Sequence, residues 1–346
     1  MAAGSGFGNL FRVTTWGESH GKGVGVVVDG CPAGLPLCEE DIQIYLDRRK
    51  PGTSRFVTPR KEEDCVEILS GVFEGKTTGT PISMVVFNKT QRSKDYSEIA
   101  SYYRPGHADY TYDCKYGFRD YTGGGRSSGR ETIGRVAAGA IAAKLLSEMG
   151  ITVNAYTKSI GPAKTLEEIE TYLEKCMEEH NSAGGVIECR IQGVPAGLGE
   201  PCFEKLSANL GKAILSIGAV KGFEIGDGFE VANATGLSNN DAFFYNDEGN
   251  IEKKTNHAGG ILGGISDGSE IIFRAAVKPT PSIFAEQETV NKSGENISVN
   301  IKGRHDPVIV PRAVVVVECM AAITILDALM VNMSARLDGM KFFYGK

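Results

Sequence analysis

Apolar positions along the chain follow two spacings. Strand-like runs of apolar and β-branched residues cover Phe11 to Trp16, Val24 to Asp29, Glu67 to Phe73, Ile82 to Phe87, Gly185 to Gln192, Phe229 to Asn233 and Glu270 to Val277. Helical spacing covers Glu39 to Arg49, Thr165 to His180, Phe203 to Ile217 and Pro311 to Leu329. A further helix is marked at both ends. Ser128 to Glu131 reads as an S-x-x-E capping box, apolar residues follow at Ile133, Val136, Ala137, Ala140, Ile141 and Leu145, and Gly150 stands just past the end. The longest apolar stretch, Val314 to Val331, contains Glu318 and Asp327. It predicts a core helix, because a membrane span wants about 20 residues with few or no charges.

Strands and helices alternate irregularly, no linker stands out, and the length allows either two domains or one large one. The two halves echo each other. Cys31 to Leu35 reads CPAGL and Val194 to Leu198 reads VPAGL, each before a helix. Gly125-Arg126-Ser127-Ser128 is paralleled by Gly303-Arg304-His305-Asp306, each before an Ala/Val-rich helix. An internal duplication would give pseudo-symmetric halves with the ligand cleft between them.

Composition narrows the function. The chain has 346 residues and a net charge of -6, which argues against nucleic-acid or anionic-membrane partners, since these demand a basic face. Any anion site must then be a local concentration of cations. The eight cysteines form no C-x-x-C pair and no metal-like spacing with the five histidines, so no metal is expected. They read as reduced, mostly buried side chains of a cytoplasmic protein, and the N-terminus shows no signal or transit pattern. Glycine is over-used, 44 residues against an ordinary share of roughly 7%, and the excess sits in short clusters where backbone can approach a ligand.

Three segments carry candidate chemistry. From Arg48 to Lys61, RRKPGTSRFVTPRK holds cations and no anion; it is either a solvated basic loop or an anion clamp suited to arginine's planar fork. Asp120 to Arg130, DYTGGGRSSGR, puts glycines, Ser127, Ser128, Arg126 and Arg130 at a helix start, where backbone N–H groups and the helix dipole favour an anion; the alternative is a glycine-rich turn with a serine cap and no ligand. It is neither a Walker A loop nor a dinucleotide fingerprint. The third runs from NHAGGILGGISD (Asn256 to Asp267) through Lys278-Pro279-Thr280-Pro281-Ser282 to Gly303-Arg304-His305-Asp306, and suits a second anionic ligand. His20, in GESHG, and His107, in RPGHAD, can exchange protons near neutrality or be merely structural.

In these segments the chain resembles chorismate synthase along essentially its whole length, through FRVTTWGESHG, DRRKPGTSR, SGVFEGKTTGTPI, RPGHADYTYDCKYGFRDYTGGGRSSGRETIGRVAAGAIA, VPAGLGEP, KGFEIGDGF, NHAGGILGGISDG, KPTPSI and GRHDP. The resemblance implies an α+β fold, a sandwich of helices and antiparallel sheets in a single domain over 1–346, and a homotetrameric lyase of the shikimate pathway. Its reaction is an anti-1,4-elimination of phosphate from 5-enolpyruvylshikimate 3-phosphate, giving chorismate with reduced FMN as cofactor and no net redox change. It further implies Arg49 and Arg55, with Arg48 and Arg130, on the substrate side. Arg126, Ser127, Ser128, Gly218, Ala219, Gly263, Lys278 to Ser282 and Arg304 are implied as flavin contacts. His20 is implied as the proton donor to the departing phosphate, His107 as the histidine beside the flavin, Asp306 as the acid working with flavin N5, and Ser19 and Ser128 as proton relays. Val315 and Cys319 depart from the family's usual proline and alanine, on the expected core helix. No reductase segment is visible, so an external flavin reductase is the expected electron source. Two other readings remain: a flavin oxidoreductase with net hydride transfer, for which no nicotinamide motif is found, and a non-catalytic phospholigand-binding protein.

Overall fold

The computed structural model describes residues 4–50, 64–88, 98–301 and 306–345. Strands β1 (Gly6–Phe7), β2 (Arg12–Gly17) and β3 (Gly23–Asp29) lead into helix α1 (Glu39–Arg49). Then come β4 (Val66–Ile68), a hairpin of β5 (Val72–Phe73) and β6 (Lys76–Thr77), β7 (Ile82–Phe87), α2 (Asp109–Tyr116) and α3 (Thr132–Glu148). The second half runs β8 (Thr152–Ile160), α4 (Leu166–Glu178), β9 (Gly185–Gln192), α5 (Leu206–Leu215), β10 (Val220–Ile225) and α6 (Gly236–Asn239). A ribbon of β11 (Phe243–Tyr245) and β12 (Ile251–Lys253) precedes a hairpin of β13 (Ile261–Leu262) and β14 (Ile265–Ser266). The chain continues with β15 (Ile271–Val277), a ribbon of β16 (Gln287–Val290) and β17 (Asn296–Val299), α7 (Val310–Asn332) and α8 (Leu337–Phe343).

Two antiparallel sheets result, in the orders β1-β2-β3-β7-β4 and β10-β15-β9-β8. Period-two burial is plain in β2 and in β15, where Ile271, Phe273, Ala275 and Val277 all point inward, whereas β3 is buried on both faces over Gly23 to Val26. Helices α1 and α3 pack on the first sheet, α5 and α7 on the second, and α3 meets α7 between them. Having neighbours on several sides, α3 and α7 are apolar around most of their circumference. Their approach depends on Gly139, whose missing Cβ would lie 2.1 Å from the Cβ and 2.6 Å from the Cα of Cys319.

The duplication expected from the sequence is present in hydrogen bonds as well as in topology. Strands β2-β3-β7-β4 correspond to β8-β9-β15-β10, with α1, the β5–β6 hairpin and α3 matching α5, the β13–β14 hairpin and α7. In the first half Gly34 N donates to Thr77 O (2.8 Å), Leu35 N to Thr77 Oγ1 (3.0 Å), and Thr77 Oγ1 to Pro32 O (2.6 Å). In the second, Gly197 N donates to Ser266 O (2.8 Å), Leu198 N to Ser266 Oγ (2.9 Å), and Ser266 Oγ to Pro195 O (2.6 Å). Each Pro-Ala-Gly-Leu turn is thus pinned by one hydroxyl from its own half's hairpin.

The charges inside α7 have partners, as a core helix requires. Glu318 takes both Nη atoms of Arg48, at 2.7 and 2.9 Å, and Asp327 accepts the backbone N–H groups of Asn9, Leu10 and Phe11.

Several expectations need correction. Phe229 to Asn233 is a 3₁₀ helix, not a strand: Phe229 is 82% exposed, and no described strand pairs with it. Glu67 to Phe73 is two strands, broken where Gly71 takes φ +84° against Ile82. The Ser128 box is not formed. Ser128 Oγ accepts from Arg130 N in a 3₁₀ turn (Gly129–Glu131), while the Glu131 carboxylate turns to Thr15 and Arg135. The cysteines are free but evenly divided, with 31, 176, 189 and 319 buried and 38, 65, 114 and 202 exposed.

Candidate active site

The loop between β2 and β3 carries Ser19 and His20. Gly123, at φ +71°, lies so close to the imidazole that a Cβ there would sit 2.1 Å from His20 Nδ1, so the glycine-rich loop can seat this histidine only without a side chain. Ser19 Oγ donates to Gly123 O at 3.2 Å and lies 3.2 Å from His20 Nδ1. The serine, histidine and glycine-loop segments singled out from the sequence are therefore in contact.

Behind them is a cation cluster built around the buried pair of Arg49 and Asp64. Arg49, at the end of α1, is 3% exposed, and its Nη2 donates to Asp64 Oδ2 at 2.7 Å. Arg130 reaches the other oxygen of Asp64 at 3.1 Å and Asn88 Oδ1 at 3.1 Å. The Asn88 amide in turn donates to the carbonyls of Glu18 and Gly21, on either side of His20. Arg312 donates Nε to Arg49 O at 3.0 Å and pairs through Nη1 with Asp306. The N-terminal ends of α3 and α7, both dipole-positive, thus meet at Arg49, which also lies 3.4 Å from Thr132 Oγ1. Burial alone would raise the Asp64 pKa, but Arg49 and Arg130 outweigh it and hold the carboxyl below its ordinary value.

His107 lies on a neighbouring wall. Its Nδ1–H donates to Pro105 O at 2.9 Å, so Nε2 is the acceptor for Ser282 Oγ at 3.0 Å. Burial, with Arg104 beside it, pushes His107 down to about 4 against the pull of the Pro105 carbonyl and Asp109. The ring is therefore neutral at pH 7. Arg104 forks onto Asp109 with two bonds of 2.8 Å. Lys278 Nζ donates to Gly106 O at 2.6 Å and its backbone N–H to Ala219 O at 2.9 Å, joining the KPTPS segment, the RPGHAD loop and the Gly218–Ala219 turn. Arg126 donates to Thr15 Oγ1 at 2.7 Å, and Arg135 binds Ser216 just before that turn.

This wall has room and an unused donor for an anionic group. Among the described residues Thr280 Oγ1 is buried without a partner and a Cβ at Gly218 would meet nothing within 4 Å, and Ala219 is held at φ +72°, a strained backbone for a residue with a Cβ.

Two expected members are elsewhere. Arg48 is engaged by Glu318 on the core helix, not by the Asp64 cluster. Gly263 sits at the N-terminal end of α5, where Gly264 O caps Leu206 N, whereas Gly218 lies beyond the helix's other end, about 15 Å away at 1.5 Å per residue. Arg55 and Arg304 lie outside the described residues. Sequence reading did not single out Asp64, Asn88, Arg104, Asp109 or Arg312.

Comparison with known proteins covers the same stretch. Residues 11–330 match the family model described as chorismate synthase. A curated protein of that name from Agathobacter rectalis is 68% identical over 367 aligned positions, covering 99% of this chain and 100% of its own. Another from Lachnoclostridium phytofermentans is 66% identical, with 99% and 100% covered. A solved structure titled "Crystal Structure of Chorismate Synthase" superposes with a TM-score of 0.76 at 31% identity, covering 98% of this chain and 97% of that one.

Proposed function

The chain belongs to the chorismate synthase family, carbon–oxygen lyases acting on phosphate in the shikimate pathway, and from that premise we propose how its residues divide the work. The substrate is 5-enolpyruvylshikimate 3-phosphate, bound by Arg49 and Arg130 together with Arg55. Reduced FMN is held by Arg126 to Ser128, Gly218, Ala219, Lys278 to Ser282 and Arg304. The chemistry that reduced FMN supplies when bound is transient electron donation with no net redox change. The observation that carries this reading is the convergence of two long helix N-termini, the buried Arg49 and the half-buried Arg130 and Arg312 in a chain of net charge -6. A substrate with two carboxylates and a phosphate, beside a phosphorylated cofactor, accounts for that concentration.

His20, as imidazolium, keeps Nδ1–H on Ser19 and gives its other proton to the departing phosphate. Ser19 donates its own hydrogen bond to Gly123 O, which fixes the ring. Asp306, oriented by Arg312, stands at the ring hydrogen's side of the reaction, with Ser128 a second relay. His107, held through Nε2 by Ser282, would lie beside the bound flavin. A homotetramer in the cytoplasm, supplied with reduced flavin by a separate reductase, completes the reading; Gly263 belongs to it only if another subunit brings that hairpin to the site.

Arg49→Ala tests the division. Charge-assisted hydrogen bonds contribute about 1.5 to 3 kcal/mol each, so substrate KM should rise at least tenfold. FMN affinity measured without substrate should change much less. Equal weakening of both ligands would show that the cluster serves the wrong anion.

A further inference from the structure

We infer that Asp64 is a positioning residue: its carboxylate holds Arg49 and Arg130 apart and in place for the substrate's anionic groups. The inference rests on reading those two arginines as substrate-side.

Asp64 is 5% exposed, and each of its oxygens takes a guanidinium from a different element, Arg49 from the end of α1 and Arg130 from the turn before α3. Two like charges held this close, Arg49 buried and Arg130 half-buried, need an anion between them. Asp64 supplies it from a left-handed backbone, φ +42°, that a residue with a Cβ adopts only at a cost. Such strain persists where the surroundings fix a residue for a purpose.

A purely structural ion pair would leave Arg49 satisfied, and it is not. Asp64 takes only Nη2; Nη1 has two long contacts of 3.4 Å to Gly129 O and Thr132 Oγ1; Nε is buried with no partner among the described residues. The guanidinium is therefore anchored on one side with donor capacity in reserve on the other. Arg130 extends the same anchor through Asn88 to the Glu18 and Gly21 carbonyls that flank His20. One carboxylate thus sets two binding cations and, through the second, the loop of the proton donor.

The test uses the full chain with reduced FMN. Asp64→Asn keeps the shape and one acceptor but removes the charge. Substrate KM is expected to rise 30-fold or more, with kcat within about fivefold and FMN affinity within about threefold. In the double variant with Arg130→Met, the KM increases should fall well short of multiplying, because Asp64 acts through Arg130. A KM within threefold of the parent overturns the inference. So does a parallel loss of FMN affinity and melting temperature, the signature of a merely structural pair. Should Asp64→Asn fail to fold, Asp64→Glu is read instead: a raised KM with unchanged FMN affinity supports positioning, and an unchanged KM overturns it. If Arg49→Ala itself leaves KM unchanged, the substrate-side reading underneath has failed; if Arg49→Ala raises KM and Asp64→Asn does not, only the present inference has.

Discussion

Replacing His20 by alanine is expected to cut turnover by about 10²- to 10⁴-fold, the usual contribution of a well-placed general acid, while FMN binding persists. The imidazole is clamped between the Ser19 hydroxyl and the face of Gly123, and neither contact extends to the KPTPS segment or the Gly218–Ala219 turn proposed to hold the cofactor. On the proposed roles, removing the ring takes away the proton that the departing phosphate needs and leaves the KPTPS segment and the Gly218–Ala219 turn untouched. Rate measured in single turnovers, with FMN affinity measured separately, checks this. A variant that turns over within tenfold of the parent would return His20 to the structural class.

His107→Ala should likewise lose about 10²-fold or more in rate, and it carries a second signature in stability. The folded protein holds this imidazole neutral down to about 4, whereas an unfolded histidine titrates near 6.5. Folding therefore favours the unprotonated ring, and its contribution is fully present above pH 6.5. It is lost as the pH falls from 6.5 through 4, because in that window the unfolded chain binds the extra proton. A shift of this size corresponds to about 3 kcal/mol at most. Denaturant melts at a series of pH values should show the parent losing stability across the window more steeply than His107→Ala. Identical slopes would mean that the ring is not buried neutral. An anionic flavin beside it would raise its pKa, so binding the reduced cofactor should be accompanied by proton uptake in the parent and not in the variant.

Much of this was legible in the sequence because local chemistry and tertiary demand agree. Helix α1 spans the predicted residues, with Glu39, Glu40 and Asp41 at its dipole-positive end and Arg48 and Arg49 at the other. The two Pro-Ala-Gly-Leu turns revealed the duplication because each needs the same glycine and the same hydroxyl partner. Strand β8 escaped because its alternation runs between exposed and half-buried positions, with Thr, Asn, Tyr and Lys masking the period. Arg48 and Arg49 were indistinguishable as members of a cationic run. Helix phase separates them: Arg49 stands at i+7 from Ile42 and i+3 from Leu46, on the buried face, and this spacing could have been read in advance. Asp64 gave no such signal. It ends the run Lys61-Glu62-Glu63-Asp64, which reads as solvated charge, and only the fold brings it to Arg49 and Arg130.

The central claim is that electrons are lent to the substrate and returned, with histidines moving the protons. The direct test is the stoichiometry of purified protein mixed with 5-enolpyruvylshikimate 3-phosphate and a limiting amount of photoreduced FMN under strict anaerobiosis, following chorismate and flavin absorbance together. Many chorismates should form for each reduced FMN, which stays reduced when substrate is exhausted. One oxidised flavin for each product would contradict the account and place the chain among the oxidoreductases.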